Sequence, residues 1–387
     1  MTAVRILLLT PFLPAQGASH GGGNYLGALA DGLRRRCELG VLHLSSPGEP
    51  RAAGSEWAWS ASAPYEGAPS GASHRLKMLW RWRDRPLLAA KHQSGQLPLL
   101  VRRALDEFRP DVALVEMAQM AQFLPLLDGL PTVLTDHEAG RPANAGTGLG
   151  AAADRRDERL WRGYVQRYYP QANLVQAVTE EDAAALRSAI GRDVAVRPAV
   201  LPTPQALCRP GDAPPQALFL GDYRHEPNRV AARRIVEEIW PRVRSRCPDA
   251  RLVLAGLNAA PVEPLGDQPG VEVAGYVEDL YALLSQTRLL LAPQWSGGGF
   301  RVKNAQSLLH GLPVVTNALG ARGSRAPAPA CAVAESPEAL AAAACELLES
   351  AETARAAGEL GQRWAAERFS IEAVADLQLA RLQRLLG

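Results

Sequence analysis

Long hydrophobic segments are absent from the 387-residue sequence. Its longest apolar runs, such as VRILLL and TRLLLAP, are the length of a strand and fall far short of the roughly 20 residues that span a bilayer. Pro11 and Pro14 follow the first run at once, without a small-residue cleavage site, so we interpret this run as a strand rather than a signal peptide. The sequence therefore predicts a cytoplasmic protein.

Paired cysteines are also lacking. The five cysteines are scattered and form no Cys-x-x-Cys pair, which argues against a disulfide framework and against a zinc site. We expect buried or unreactive thiols at Cys37, Cys208, Cys247, Cys331 and Cys345.

Excess charge of either sign is missing as well. The formal net charge is only +2, which argues against a strongly electrostatic nucleic-acid binder, so no nucleic-acid partner is expected. Any binding of an anion must therefore depend on a local cluster of cations.

Strand-length apolar runs alternate with helical patterns along the whole chain. This β/α repeat predicts parallel sheets covered by helices, and the chain length suggests two domains. In the first half we expect strands over 4–10, 37–44, 110–116, 131–136 and 172–179. Helices are expected over 24–36, 97–108, 151–169 and 180–190. The Gly-, Ser- and Pro-rich stretch 49–73 is interpreted as an irregular loop.

The proline-rich stretch 201–215 divides the chain into two such halves. We expect a first Rossmann-like domain over 1–200 and a second over 216–370, facing each other across a cleft where ligands bind. Strands are expected over 217–222, 250–256, 271–277, 288–293, 312–317 and 331–335. Helices are expected over 228–246, 280–287, 304–311 and 336–350. The amphipathic tail 371–387 is expected to form a helix that packs back on the first domain.

The segment HGGGNYLGALADGL, residues 20–33, places glycines between the first strand and the first helix. Gly22 and Gly23 would let the backbone approach a phosphate at the helix N-terminus. The spacing is not the Gly-x-Gly-x-x-Gly of nicotinamide-binding proteins. A glycine turn capped by Asn24 is the alternative interpretation.

A second glycine cluster, in WSGGGFRVKNAQSLLHGLPVVTN, carries more information. The three glycines 297–299 follow a predicted strand and precede a predicted helix, an arrangement that suits a diphosphate. Arg301 and Lys303 add two positive charges that could neutralise a leaving diphosphate. Because glycines, cations and a helix start coincide, we favour a binding site over a solvated charged loop.

These segments resemble family 4 of the glycosyltransferases, which have the GT-B fold. The resemblance is densest over 217–317, from ALFLGD to LPVVTN, and follows the branch with the loop Gly-Gly-Gly-x-Arg-x-Lys. It continues in RPDVALVEMAQMAQFLP, TVLTDHEA and ANLVQAVTEEDAAALR. It implies that Arg301 and Lys303 hold the diphosphate of a nucleotide sugar with backbone N–H groups of Gly298 and Gly299. It also implies donor contacts at Gly221, Val277 and Phe300.

The family motif has two glutamates with seven residues between them, whose positions fall on Gly298 and Gln306. The second glutamate accepts hydrogen bonds from the ribose in the family, and Gln306 retains only one uncharged acceptor. This substitution implies a loss of roughly 1–2 kcal/mol in donor binding or an altered nucleotide preference.

The first half contributes His137, which ends a strand and resembles the family histidine near the donor sugar. It could hydrogen-bond the sugar in the transition state; a histidine in a strand-end turn is the alternative. Glu116 and Asp136 are candidate acceptor-side carboxylates, yet neither has a clear partner in the sequence, so no general base is assigned. Retaining members of the family need none, and since no Asp-x-Asp motif is present, we expect neither metal nor cofactor.

The segment HRLKMLWRWRDRP, residues 74–86, combines five cations with two tryptophans. Such a segment can rest on an anionic membrane surface. Since the charges do not segregate to one helical face, a solvated helix or an acceptor-binding loop is favoured. At most, peripheral contact with the inner face of the membrane is expected.

The sequence thus predicts a glycosyltransferase that moves a sugar from a UDP-, GDP- or dTDP-linked donor to a hydroxyl of a small-molecule, lipid-linked or glycan acceptor. Retention and independence of metal are expected from the resemblance. A nucleotide-sugar epimerase would need carboxylates over the sugar, which are scarce here. A pseudo-enzyme that binds a partner remains the third interpretation because of Gln306.

Overall fold

The computed structural model of the chain describes residues 4–15, 21–45, 56–64, 72–140, 142 and 146–387. The chain forms two compact units. The first consists of Met1–Pro202 together with Ile371–Gly387, and the second of Thr203–Ser370. Both are α/β units built around a parallel sheet, as the β/α repeat predicts.

The first unit contains a seven-stranded sheet in the order β3-β2-β1-β4-β5-β6-β7. Its strands are β1 (Arg5–Thr10), β2 (Glu38–Ser45), β3 (Trp59–Pro64), β4 (Val112–Glu116), β5 (Thr132–Asp136), β6 (Leu174–Ala177) and β7 (Ala195–Val196). Its first six helices are α1 (Gly21–Arg34), α2 (Ala72–Arg81), α3 (Leu87–Lys91), α4 (Leu97–Arg103), α5 (Ala151–Tyr168) and α6 (Glu180–Ile190). A π-helical turn, Ala104–Phe108, extends α4, and 3₁₀ segments lie at Ala118–Leu127 and Tyr169–Gln171.

Strand β1 shows why this sheet is covered on both faces. Ile6 and Leu8 belong to one buried cluster, whereas Leu7 and Leu9 belong to another. Successive side chains of a strand point to opposite faces, so a continuous apolar run is needed where both faces are buried.

The second unit contains a six-stranded parallel sheet in the order β10-β9-β8-β11-β12-β13. Its strands are β8 (Gln216–Leu220), β9 (Arg251–Ala255), β10 (Val271–Gly275), β11 (Leu289–Leu291), β12 (Val314–Thr316) and β13 (Cys331–Val333). Its helices are α7 (Glu226–Arg234), α8 (Trp240–Arg246), α9 (Leu280–Ser285), α10 (Val302–Leu309), α11 (Pro337–Glu349) and α12 (Ala351–Phe369). A π-helical turn at Ile235–Ile239 joins α7 to α8, and a 3₁₀ segment spans Ala260–Asp267.

The last helix, α13 (Ile371–Leu386), belongs to the first unit and packs against α1. Ile371, Val374 and Leu382 lie in the same buried cluster as residues of α1 and β1. Gly32 allows this close approach, because a Cβ at this position would lie 2.8 Å from side-chain atoms of Ile371 and Ala375.

Two expectations need correction, and one helix was not predicted. The stretch 49–73 is not an irregular loop throughout, since β3 pairs with β2 along its whole length; the parts at 49–55 and 65–71 lie outside the described residues. Helix α1 begins at Gly21 rather than at Asn24, so Gly22 and Gly23 belong to its first turn. The sequence patterns also gave no sign of α12, whose buried residues are mostly alanine and glycine.

Other features agree with the sequence or add to it. All five cysteines are free, four of them buried and Cys37 half-buried. Within the described parts of the chain, no helix is both long enough and apolar enough to cross a membrane.

Candidate active site

The strand order of the second unit reverses between β8 and β11, the point where open α/β sheets bind ligands. Backbone and side chains from three segments meet at the carboxyl end of β8. They are the end of the strand at Leu220, the first turn of α7, and the start of α10, which the glycine loop 297–299 precedes. The arrangement of strand, glycine loop and helix N-terminus is the one predicted from the sequence.

Lys303 lies in the first turn of α10 and reaches back to this strand end. Its Nζ donates to the carbonyl oxygen of Leu220 at 2.8 Å and to Oδ1 of Asn228 at 3.1 Å. It also lies 4.2 Å from the centroid of the Phe219 ring. Burial, and then the charge of Arg301, lower the pKa of Lys303 to about 7. An ammonium has three donors, so one remains for a ligand oxygen.

Arg301 holds the glycine loop in its conformation. Its guanidinium donates to the carbonyl oxygens of Gly297 at 2.7 Å, Gly298 at 3.1 Å and Leu319 at 3.3 Å. Gly297 and Gly299 have φ values of 94° and 75°, which only glycine adopts readily. The loop therefore combines a fixed backbone with a positive charge.

Three further residues, Gly221, Val277 and Phe300, are predicted to contact the donor. Gly221 follows β8, where a Cβ would lie 3.1 Å from Asn228. Val277 is half-buried and follows β10, at the same edge of the sheet. The ring of Phe300 packs edge-on against Phe369 of α12, 5.4 Å between centroids, so this side chain anchors the loop to the unit.

Gln306 lies one turn after Lys303 on α10 and is half-buried. Residues three apart on a helix are neighbours on its surface, so the Gln306 amide lies on the face that carries Lys303. Asn228, which the sequence patterns missed, belongs to the same cluster. It follows the N-terminal Glu-Pro of α7, and that helix start after a strand was its only sequence signal.

In the first unit, His137 is part of a buried network at the ends of β4 and β5. Its Nε2 lies 3.1 Å from Oε2 of Glu116. Glu116 also accepts two hydrogen bonds from Arg197, at 2.7 and 2.8 Å, and Arg197 donates to the Tyr25 hydroxyl at 2.7 Å. The Tyr25 and His137 rings meet edge-on, 4.8 Å apart. Neither Arg197 nor Tyr25 was selected from the sequence.

The contact with Glu116 determines which ring nitrogen of His137 acts as the donor. Burial alone raises the pKa of Glu116, but the charge of Arg197 and the hydrogen bonds of His137 and Arg197 outweigh it, so the pKa is lowered. Burial raises the pKa of Tyr25 to about 12. An ionised Glu116 only accepts hydrogen bonds, so Nε2 of His137 carries the proton. A neutral His137 therefore presents Nδ1 as an acceptor.

Glu116 and Asp136 both have partners that were not clear from the sequence. Oδ2 of Asp136 accepts from the Tyr169 hydroxyl at 2.5 Å and Oδ1 from the backbone N–H of Glu138 at 2.9 Å. Burial raises the pKa of Asp136. Exposed fractions of 0% for Glu116 and 1% for Asp136 leave no surface for an acceptor, whereas the side chain of His137 is 20% exposed.

The described residues contain no group of three or more His, Cys, Asp or Glu side chains that could hold a metal ion. Gly22 and Gly23, in the first turn of α1, supply backbone N–H groups at a helix N-terminus. The second unit thus carries a cationic cluster, and the first carries a histidine network.

Two family models match the chain. The model described as Glycosyltransferase Family 4 matches residues 19–203, and the model described as Glycosyl transferases group 1 matches residues 214–350. Together they cover most of the sequence. No curated protein matches the chain in sequence.

Solved structures match over nearly the whole chain. Sucrose-phosphate synthase from Thermosynechococcus elongatus is 16% identical over 99% of each chain, with a TM-score of 0.71. HepE from Anabaena in complex with UDP is 14% identical over 98% of this chain and 100% of its own, with a TM-score of 0.64. A glycosyltransferase from Rickettsia africae is 11% identical over 100% of each chain, also with a TM-score of 0.64. These similarities confirm the predicted fold.

Proposed function

Because the chain belongs to family 4 of the glycosyltransferases, we propose that it transfers a sugar from a UDP-linked donor to an acceptor hydroxyl, with retention and without a metal ion. The observation that carries the proposal is the position of Lys303 and Arg301 at the switch point of the second sheet. HepE, which shares the fold, is solved in complex with UDP, and this favours uridine among the nucleotides.

The donor diphosphate would lie at the N-terminus of α10, beside the glycine loop. Arg301 supplies a fixed charge there, a bound diphosphate favours the charged form of Lys303, and the positive end of the helix dipole adds to both. As the bond between the anomeric carbon and the diphosphate breaks, negative charge grows on the departing oxygen. Preorganised cations stabilise this charge, which is the task a metal ion performs in other sites.

Retention is supported by the state of the two candidate carboxylates. An inverting attack needs a general base beside the acceptor, and Glu116 and Asp136 are both buried and hydrogen-bonded to protein groups. In the retaining step, the acceptor oxygen bonds to the anomeric carbon on the face that the diphosphate leaves. The proton of the acceptor hydroxyl passes to the departing diphosphate oxygen.

By analogy with the family histidine, we assign the contact with the donor sugar to His137. Its Nε2–H is bound to Glu116, so Nδ1 is the atom that can accept a hydrogen bond from a sugar hydroxyl. Arg197 and Glu116 then act as positioning residues, since they hold the ring in one orientation. Acceptors of all three predicted classes, small-molecule, lipid-linked and glycan, carry the hydroxyl that this chemistry requires.

The test is binding and turnover with a panel of nucleotides. Thermal shift measurements with UDP-, GDP- and dTDP-sugars are expected to show stabilisation by the UDP-sugar above the others. Arg301→Ala should abolish the shift, while Arg233→Ala, an exposed cation on α7, should leave it unchanged. Failure of every nucleotide sugar to stabilise the wild type would reject the proposal.

Two alternatives are separated by the products. Slow release of UDP that speeds up on addition of an acceptor supports transfer, whereas conversion of the donor into an isomeric UDP-sugar supports an epimerase. The Gln306→Glu variant tests the hypothesis that the chain is a pseudo-enzyme. Restoring the ribose-binding carboxylate should tighten UDP binding about five- to thirtyfold, from 1–2 kcal/mol, and turnover that appears only in this variant would identify an impaired native site.

A further inference from the structure

Helix α2 of the first unit exposes an apolar stripe to solvent. Leu76, Leu79 and Trp80 are exposed by 68%, 55% and 69%. Their spacing of i, i+3 and i+4 places them on one face of the helix. Large apolar side chains exposed singly are common, but three on one helical face form a patch that indicates an interaction site.

The opposite face of the helix fixes this orientation. Met78 of α2 and Trp82, which directly follows the helix, are buried, and Nε1 of Trp82 donates to the fully buried Asp157 at 2.7 Å. Asp157 also accepts from the backbone N–H of Leu87 at the start of α3. Because α2 is tied down on this side, its apolar stripe cannot turn inward.

Cations flank the stripe along the chain. Segment 74–86 contains five cations and one acid, although the whole chain has a net charge of only +2. Lys77 on α2 and Arg83, two residues after its end, are exposed. The one acid, Asp84, is paired with Arg85.

From this charge and the apolar stripe we propose that α2 docks on an anionic lipid bilayer. Leu76, Leu79 and Trp80 enter the boundary between headgroups and acyl chains, and Lys77 and Arg83 contact lipid phosphates. Tryptophan at an amphipathic face is typical of membrane interfaces, and cations next to it attract anionic lipids. The charges of this segment do not lie on one helical face, but its exposed apolar side chains do, and this favours a membrane surface over a solvated helix.

Vesicle binding by the full chain tests this surface. The protein should co-sediment with phosphatidylglycerol/phosphatidylcholine vesicles and not with phosphatidylcholine alone, and 0.5 M salt should weaken binding because it screens the charges. Leu79→Ser/Trp80→Ser should reduce the partition coefficient at least tenfold. Lys77→Glu/Arg83→Glu should reduce it at least 25-fold, at about fivefold for each cation near an anionic surface.

The matched control is Leu99→Ser on α4, a leucine exposed by 69% outside the stripe. It should bind as the wild type does, and circular dichroism of every variant should match the wild type. Equal binding by the wild type and the Leu79/Trp80 variant would overturn the proposal. A wild-type dimer that this variant dissociates without vesicles would assign the stripe to a second copy and also overturn it. Neither measurement needs a donor or an acceptor, so this result is independent of the proposed function.

Discussion

Glu116 connects residues that lie far apart in the sequence. It binds Arg197, 81 positions later, and His137, 21 positions later. The sequence points to Glu116 and His137 because both stand where a predicted strand ends. Arg197 follows β7, a strand of two residues that is too short to leave an alternating pattern. Partners on such short elements cannot be read from periodicity.

Variants of Glu116 and Arg197 can separate their role in positioning His137 from their contribution to the stability of the fold. Glu116→Gln should lower the free energy of unfolding by about 3–5 kcal/mol, since it leaves the buried charge of Arg197 uncompensated. Glu116→Leu/Arg197→Met removes both charges and should restore most of that stability. We expect kcat of the double variant to be lower than that of the wild type, because His137 has lost its anchor. The Kd for UDP should be unchanged.

Urea unfolding, kcat and the Kd for UDP are the three measurements on these variants. A control at an exposed pair, Glu107→Gln on the Glu107–Arg103 ion pair, should change none of them appreciably. Wild-type kcat in the stable double variant would show that Glu116 and Arg197 only support the fold.

The affinity for the donor should depend on pH through Lys303. With a pKa of about 7, Lys303 is charged below pH 7 and largely neutral above it when no ligand is bound. A diphosphate favours the charged form and raises this pKa, so binding takes up a proton between the free and bound pKa values. The Kd for a UDP-sugar should therefore be nearly constant below pH 7 and rise above it, by at most tenfold per pH unit.

A nucleotide sugar is the right probe, because its diphosphate lacks the monoester ionisation near pH 6. Titration calorimetry in two buffers of different ionisation enthalpy measures the proton uptake directly. Lys303→Arg keeps the positive charge at all these pH values, so its Kd should not depend on pH in this way. The same rise in Kd for both proteins would assign the titration to another group.

At the scale of elements, large apolar residues made the fold predictable and small ones hid parts of it. Strands such as β1 and β9 stand out because isoleucine, leucine and valine fill them. Helix α12 packs closely on α10 through small residues; a Cβ on Gly361 would lie 2.8 Å from Leu308. A face of alanine and glycine gives no hydrophobic period, so the sequence does not reveal this helix of 19 residues.

The element-scale prediction compares two glycines inside helices. Gly32→Ala places a Cβ 2.8 Å from Ile371 and Ala375, neither of which is a flexible side-chain end, and should destabilise the protein by about 1–3 kcal/mol. Gly163→Ala on α5 meets no atom within 4 Å and should stabilise it by about 0.5–1 kcal/mol. Equilibrium unfolding measures both changes in stability. Effects of equal sign would contradict the packing described for α1 and α13.

For the whole molecule, the break between the two units and the order of the strands leave different traces in the sequence. The proline-rich stretch 201–215 contains few large apolar residues, and the chain passes from the first unit to the second at 202/203. The order of strands follows from crossover connections that no local pattern records. The predicted diphosphate site does not depend on the strand order, because the glycine loop and the two cations lie within seven consecutive residues.

The whole-molecule prediction is that α13 stabilises only the first unit, although the second unit precedes it in the chain. Val374 and Leu382 are fully buried in the cluster shared with α1 and β1. Val374→Asp/Leu382→Asp should lower the stability of the first unit by more than about 3 kcal/mol, because two charges are forced into an apolar core. Gln383→Asp, on an exposed position of the same helix, is the control.

Hydrogen exchange resolves the two units within one molecule. In the double variant, amides of β1 and β4 should exchange faster than in the wild type, whereas those of β8 and β11 should keep their protection. The order of the chain alone would couple α13 to α12, its immediate neighbour. Faster exchange in both units would show that they unfold as one cooperative body, and the contacts of α13 with α1 would then stabilise the whole chain rather than one unit.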